Sequence, residues 1–233
     1  AKAHFTAGAK RVVLTAPAKD EDGSAGGKTV LMGINDSELT TTVLTSNGSC
    51  TTNAASPVIQ IMSEKPGIKK AILNTVHGYT ATQKLVDAPD AKDFRRGRAA
   101  AVNIVPSTTG AAEAVTQAIP ALDGKFDGIA LRVPILTGSI ADITFIAKRP
   151  TTVEEVNKIL TTAAATSRWR DIFTTTIEPF VSSDIAGSRH ASIADLTLTK
   201  VVGGNLVKVM AWYDNEMGYT HTLVQHVIKT GTI

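Results

Sequence analysis

The sequence predicts an α+β fold, strands and hairpins backed by a few helices, on three observations. Short β-branched apolar runs recur along the chain, among them RVVLT, KKAILNTVH, GIALRVPIL and SIADITFIAK. Gly203-Gly204 separates two further runs, a strong hairpin signal. Before residue 49 the strands follow one another without complete helical crossovers, so this part cannot by itself make a doubly wound sheet. Residues 1–49 read as the tail of a domain whose beginning is absent.

The elements follow in order. Residues 1–8 end a helix at Gly8. RVVLT (11–15), TVLMG (29–33) and VLTS (43–46) are strands, with a polar glycine-rich loop at 20–28 and a turn at Asn47-Gly48. A helix runs from Ser49 to Glu64, its apolar side made by Ala54, Ala55, Val58, Ile59 and Met62, and Pro66-Gly67 ends it. KKAILNTVH (69–77) is a strand, followed by a long irregular loop through Arg98. GAAEAVTQAI (110–119) is a helix; 128–136 and 139–148 are adjacent strands parted by Thr137-Gly138. Thr151 and Glu154 are spaced as a capping box for a helix over 151–166. The 190–202 and 205–214 runs form the Gly-Gly hairpin, and a last helix places Leu223, Val224, Val227 and Ile228 on one face before Gly231.

Composition narrows the class. The chain has 233 residues, enough for one to two domains, and its 43% hydrophobic content provides a core. A net charge of +3 is too small and too mixed for a nucleic-acid binder. No apolar run reaches the roughly 18 residues that cross a bilayer. Residues 1–16 lack the features of a signal peptide, and a single cysteine excludes an internal disulfide. The expectation is a soluble cytosolic protein with no nucleic-acid or membrane partner.

Cys50 follows a strand and a turn and opens a helix. Unpaired N–H groups and the helix dipole there favour a thiolate, which predicts a thiol titrating below the ordinary ~8.5. A single cysteine is also often just a small buried residue. The neighbours Ser49, Thr51, Thr52 and Asn53 make a poor apolar pocket and a good cradle for an oxyanion or phosphate. His77 ends a strand and supplies a base if it meets Cys50; otherwise it is structural. His4, His190, His221 and His226 are left as structural or surface residues, and scattered histidines with one cysteine give no metal site. Arg132, inside an apolar strand, either faces solvent or grips a carboxylate or phosphate. Thr108-Thr109-Gly110 opens a helix and is a second anion cradle. The basic cluster Lys92, Arg95, Arg96 and Arg98 is a solvated loop, an anion site or a subunit contact. A G-x-G-x-x-G dinucleotide turn occurs nowhere.

SNGSCTTNAASP (46–57), TVHGYTATQKLVDAP (75–89), RRGRAAAVNIVPSTTGAAEAV (95–115), LRVP (131–134) and AWYDNEMGY (211–219) together resemble the ordered motif set of the phosphorylating glyceraldehyde-3-phosphate dehydrogenases. The resemblance implies a mixed, largely antiparallel sheet with helices on one face as a catalytic domain over 50–212. It further implies that 1–49 is a remnant of a doubly wound α/β nucleotide-binding domain, on which the helix of 213–233 packs. By the same resemblance Cys50 is the nucleophile and His77 the general base. Thr80, Thr82 and Arg132 hold the substrate phosphate, while Ser49, Thr51, Arg96, Thr109 and Gly110 hold attacking inorganic phosphate. Asn215 and Tyr219 meet the nicotinamide of NAD, with NADP also open, and Thr15 is a peripheral cofactor contact. The implied reaction converts glyceraldehyde 3-phosphate to 1,3-bisphosphoglycerate, in glycolysis or gluconeogenesis, within a homotetramer whose interface includes the 78–98 loop.

The sequence departs from the family pattern in lacking the glycine-rich turn and the ribose-reading acid, in carrying Ala54 where many members have a second cysteine, and in the length of the 20–28 loop. Two other readings stand beside the dehydrogenase. One is a non-catalytic assembly or phosphate-binding module; the other is a Cys–His acyl transferase or hydrolase that uses no nicotinamide.

Overall fold

The computed structural model describes residues 1–18, 27–91 and 93–233. Most of the 20–28 loop, together with Lys92 of the basic cluster, lies outside the described residues. After α1 (Lys2–Thr6), the parallel strands β1 (Val12–Leu14), β2 (Lys28–Thr29) and β3 (Leu44–Ser46) form a small sheet in the order β1-β3-β2. β2 is shorter than the expected 29–33 strand. The Asn35 side chain turns the chain there, donating to the Thr29 carbonyl (2.9 Å) and accepting from the Leu31 N–H (2.8 Å).

The helix α2 (Cys50–Glu64) leads into a seven-stranded mixed sheet. Its strands are β4 (Ile68–Gly78), β5 (Val105–Thr108), β6 (Phe126–Val133), β7 (Ser139–Ala147), β8 (Phe173–Thr176), β9 (Ser192–Val202) and β10 (Leu206–Tyr213). They lie in the order β5-β6-β4-β7-β10-β9-β8, and only β4–β6 and β8–β9 pair in parallel. The sheet is therefore largely antiparallel, as expected. α2, α3 (Ala111–Ala118) and α4 (Val153–Ala164) cover one face of it, and α5 (Met217–Gly231) closes the chain.

α2 sits at the centre of the core. It packs on β4, β7, β9 and β10 and touches α3, α4 and α5, and it is buried almost continuously from Thr51 to Met62. Beneath it β7 alternates strictly between buried and half-buried residues, so Ala141, Ile143 and Phe145 point into the core. Leu73 of β4 and Val207, Val209 and Ala211 of β10 join them.

Four expectations need correction. β6 and β7 are not adjacent, because β4 lies between them. The connection from β6 crosses the end of β4, where a side chain on Gly78 would meet the Ile135 carbonyl oxygen at 3.0 Å. Turn residues mark a change of direction but not which strand lies alongside, so sequence proximity misled here. Second, β5 and β8 were not foreseen; both are short edge strands with little apolar periodicity. Third, the cap of α4 is Thr152, which accepts from the Glu155 N–H, one residue beyond the expected box. Fourth, α5 does not bury the stripe of Val224, Val227 and Ile228, which are 49%, 50% and 61% exposed; it buries Thr222, His226 and Thr230.

Gly138 makes the β6-to-β7 crossing possible. Its φ is +91°, and a Cβ there would stand 2.8 Å from the Ser182 carbonyl oxygen. Gly138→Ala should therefore cost about 2 kcal/mol or more of stability, seen as a lower urea midpoint at unchanged slope. Stability equal to the parent would mean that the crossing tolerates a side chain.

Candidate active site

One row of paired residues across the large sheet builds the floor of the site. Tyr213 of β10 pairs with Ser139 of β7, Ser139 with His77 of β4, and His77 with Arg132 of β6. Laterally paired residues point to the same face. Leu73, Thr75 and His77 are the buried alternates of β4, so this face is the one that α2 covers. Arg132 thus faces the site rather than bulk solvent. The register that aligns these residues comes from three separate strand pairings, which no local pattern reveals.

Above the row stands the first turn of α2. Ser49 caps it: its hydroxyl accepts from the Thr52 N–H (3.1 Å), and Thr52 Oγ1 accepts from the Ser49 N–H (3.2 Å). Cys50 Sγ then lies 3.4 Å from His77 Nε2. The nucleophile and base proposed from the sequence do meet. Thr51 turns its buried hydroxyl to Tyr213, 2.9 Å away, so what it offers a phosphate is its backbone at the helix start. Tyr213 was not foreseen as a site residue. Its hydroxyl also lies 2.7 Å from Thr75 Oγ1, and its ring meets His77 edge-on at 5.9 Å between centroids. Its place in AWYDNEMGY, at the end of an apolar strand, was the available signal.

The other nitrogen of His77, Nδ1, lies 2.6 Å from the Gly78 carbonyl oxygen and 2.5 Å from Arg132 Nη1. A carbonyl only accepts and a guanidinium only donates, so each contact needs its own proton arrangement. With Nδ1 protonated, Nε2 is a bare acceptor beside the thiol. With Nδ1 bare, Arg132 donates to it and Nε2–H faces the sulfur, an arrangement suited to a thiolate. Burial and then the Arg132 charge hold His77 down at about 4, so it is neutral in both.

Burial is also the largest influence on Cys50. It pushes the thiol up, against hydrogen bonds from Thr51 and the attraction of Arg132. This direction opposes the low value expected from the helix start, although the Cys50 side chain is only half-buried.

One cation, Arg132, touches the pair, and a second, Arg96, lies near enough to Arg132 to act on its charge. Arg96, from the 3₁₀ turn Phe94–Gly97, donates to Thr108 Oγ1 at 3.3 Å, beside the start of α3. Thr109 caps that start by accepting from the Ala111 N–H (3.1 Å), and Gly110 precedes the helix. Burial and the charge of Arg96 disfavour the charged form of Arg132, so the two guanidinium groups feel each other. Among the described residues neither makes an ion pair, and the Nε of each is buried without a partner. Thr80 and Thr82 hydroxyls lie 2.9 Å apart just beyond β4, steadied by Gln83. Arg95 is exposed, and Arg98 pairs with Asp87 at the surface.

On the side of α5, Asn215 Oδ1 accepts from the Gly138 N–H (3.0 Å). Its amide N–H groups have no acceptor among the described residues. The Tyr219 hydroxyl donates to the Gly48 carbonyl at 3.4 Å. Thr15 is exposed just beyond β1, whose last residue, Leu14, pairs with Ser46. It lies at the same end of the small sheet as the Asn47–Ser49 turn, without direct contact to Cys50.

Fold and site together define a thiol–imidazole domain with unpaired arginines at the site, set on a helix-backed mixed sheet. The model of the "Glyceraldehyde 3-phosphate dehydrogenase, C-terminal domain" matches residues 49–215. Glyceraldehyde-3-phosphate dehydrogenase of Mycobacterium avium is 47% identical over 232 residues, covering 99% of this chain and 66% of that protein. The enzyme of Clostridium acetobutylicum is 46% identical over 97% of this chain and 66% of its own length; that of Borreliella burgdorferi, 44% over 94% and 64%. The chain belongs to the glyceraldehyde-3-phosphate dehydrogenase family, and it spans about two thirds or slightly less of these relatives.

If burial governs Cys50, iodoacetamide alkylation should accelerate with pH through a midpoint above the ~8.5 of an ordinary cysteine. Arg132→Leu should move the midpoint further up, since the guanidinium favours the thiolate. A midpoint well below the ordinary value would show the helix start outweighing burial.

Proposed function

We propose that this chain carries the thiol chemistry of a phosphorylating glyceraldehyde-3-phosphate dehydrogenase, acting in the cytoplasm on glyceraldehyde 3-phosphate and inorganic phosphate. The observation that carries the reading is Cys50 Sγ at 3.4 Å from His77 Nε2, beside two arginines that lack anionic partners. On this reading residues 50–212 are the catalytic domain. Residues 1–49 belong to a nucleotide-binding domain, and 213–233 close back on it.

The steps follow from the resting protonation. His77 Nε2 takes the thiol proton as Sγ adds to the aldehyde carbon, then returns it to the new alkoxide, giving a thiohemiacetal. Arg132, with Thr80 and Thr82, grips the phosphate at the far end of the substrate. Oxidised NAD, when bound, supplies the hydride acceptor. As the hydride leaves the thiohemiacetal carbon, His77 takes the hydroxyl proton, and a thioester on Cys50 results. Inorganic phosphate, held by Arg96, Thr109, Gly110 and the Ser49–Thr51 helix start, attacks that carbon and displaces the Cys50 sulfur as 1,3-bisphosphoglycerate forms. Asn215 suits the nicotinamide carboxamide: its oxygen is occupied by Gly138, which leaves its N–H groups to donate to a carbonyl. Tyr219 flanks it, and Thr15 lies further along the cofactor.

We also propose self-association, to a homotetramer as in the family reading. Leu85, Val86 and Phe94 on the 78–98 loop are 77%, 72% and 91% exposed, which suits a subunit contact.

Glyceraldehyde 3-phosphate should protect Cys50 from alkylation far better than glyceraldehyde does. Arg132→Leu should remove most of that advantage, about 2–3 kcal/mol for a partly desolvated charged bond. Equal losses for the two aldehydes would make Arg132 structural.

The 233 residues alone should bind NAD weakly, because Asn215 and Tyr219 meet only its nicotinamide end and the sequence carries no G-x-G-x-x-G turn for the pyrophosphate. Calorimetric titration checks this, and micromolar binding would contradict it.

A further inference from the structure

His226, which reads from the sequence as a structural or surface residue, is fully buried at the junction of α5 and the turn that delivers Cys50. The hydrogen bonds around it can be assigned in direction. The Thr222 hydroxyl donates to the Tyr219 carbonyl (2.9 Å), so its oxygen accepts from Asn47 Nδ2 (3.3 Å). That fixes the Asn47 amide with Oδ1 toward His226 Nδ1, 3.1 Å away, and Nδ1 must carry the hydrogen. Nε2 is then bare and accepts from the Thr45 hydroxyl at 2.8 Å.

Asn47 is held from every side. Its N–H donates to the Leu14 carbonyl (3.1 Å), and its carbonyl accepts from Asn53 Nδ2 (2.7 Å). The same Asn53 nitrogen donates to the Ser49 carbonyl at 2.9 Å. Asn47 thereby links α5 to the residues that start α2. Tyr219, Thr222 and His226 recur at spacings of three and four, so one polar face of α5 grips the turn.

We propose that His226 is a positioning residue for Cys50: through the directed chain Thr45–His226–Asn47 it locks the turn that sets the sulfur against His77. Burial holds His226 down at about 4, so the ring is neutral, and Nε2, left bare by the hydrogen on Nδ1, accepts from Thr45. The proposal concerns the efficiency of adduct formation, and so rests on the thiol chemistry proposed above.

The test compares His226→Leu, His226→Asn and Thr45→Val with the parent chain, each checked for folding by circular dichroism. The concentration of glyceraldehyde 3-phosphate that half-protects Cys50 from iodoacetamide should rise ~10-fold in His226→Leu, the scale of a lost buried hydrogen bond. Affinity for inorganic phosphate, measured by calorimetry, should stay within about twofold of the parent, because the arginines are untouched. His226→Asn, which keeps an N–H near the Nδ1 position, should recover most of the protection. Thr45→Val should lose a few-fold, and it carries the comparison if His226→Leu does not fold. Unchanged protection in the folded variants, or phosphate affinity falling in step with it, would overturn the proposal. Glyceraldehyde, run in parallel, separates the two readings. If the phosphorylated aldehyde protects no better than glyceraldehyde, the substrate assignment fails while the shift between variants still measures positioning. Long-range ¹H–¹⁵N spectra read the tautomer directly, and an Nε2–H ring or an imidazolium at neutral pH would refute the lock.

Discussion

The burial of α2 across the middle of the large sheet is the constraint on which the rest depends. A helix enclosed almost all round has its axial position fixed by side-chain volume on four strands and three neighbouring helices. Its first turn can then be held to a fraction of an ångström, and that turn carries Cys50. A surface helix anchored along one stripe could slide or tilt, and a 3.4 Å contact between sulfur and imidazole would not persist. The capping box of Ser49 and Thr52 completes the arrangement by satisfying the helix start without drawing on Cys50.

The sheet supplies the complementary half through register. Tyr213, Ser139, His77 and Arg132 come from four strands spread over 137 positions of the chain, yet stand in one lateral row. This separates what was legible in the sequence from what was not. Strand 69–77, the helix from Ser49 and the Gly203-Gly204 hairpin were readable because their signals are local. Cys50 and His77 were readable as candidates from their places at a helix start and a strand end, and the motif resemblance joined them. The insertion of β4 between β6 and β7 was not readable, because strand order is settled by competition among all the strands for edges and core. Tyr213 was missed for a related reason: at the end of an apolar strand it looks like core, and only the row reveals that its hydroxyl joins Thr51 to Thr75.

α5 shows the opposite failure, in which a true local signal gave the wrong face. Leu223, Val224, Val227 and Ile228 do share one side, the side that a hydrophobic pattern ordinarily turns inward. The structure turns Thr222, His226 and Thr230 inward instead. The partner that Thr222 and His226 meet is the end of β3 and the Asn47-Gly48 turn, whose backbone and amide groups require hydrogen-bonding company when buried. An apolar stripe pressed there would strand Thr45 and Asn47 without partners. Periodicity identifies a helix; the chemistry of its neighbour decides which side is buried.

Electrostatics completes the logic of the site. Burial pushes the half-buried Cys50 thiol up and keeps the His77 imidazole neutral, whereas two guanidinium groups stand nearby without counter-ions. Separating charge between Cys50 and His77 is unfavourable in this setting, so a reactive thiolate is not maintained in advance. An anionic ligand on Arg96 and Arg132 relieves their mutual repulsion and leaves His77 beside the thiol as a neutral base. On the proposed reading, proton transfer then coincides with formation of the carbon–sulfur bond, when the charge moves onto the aldehyde oxygen. On that same reading, the fold keeps the thiol quiet until a phosphorylated aldehyde is in place, and the repulsion between two half-buried, unpaired cations is relieved only when phosphate binds.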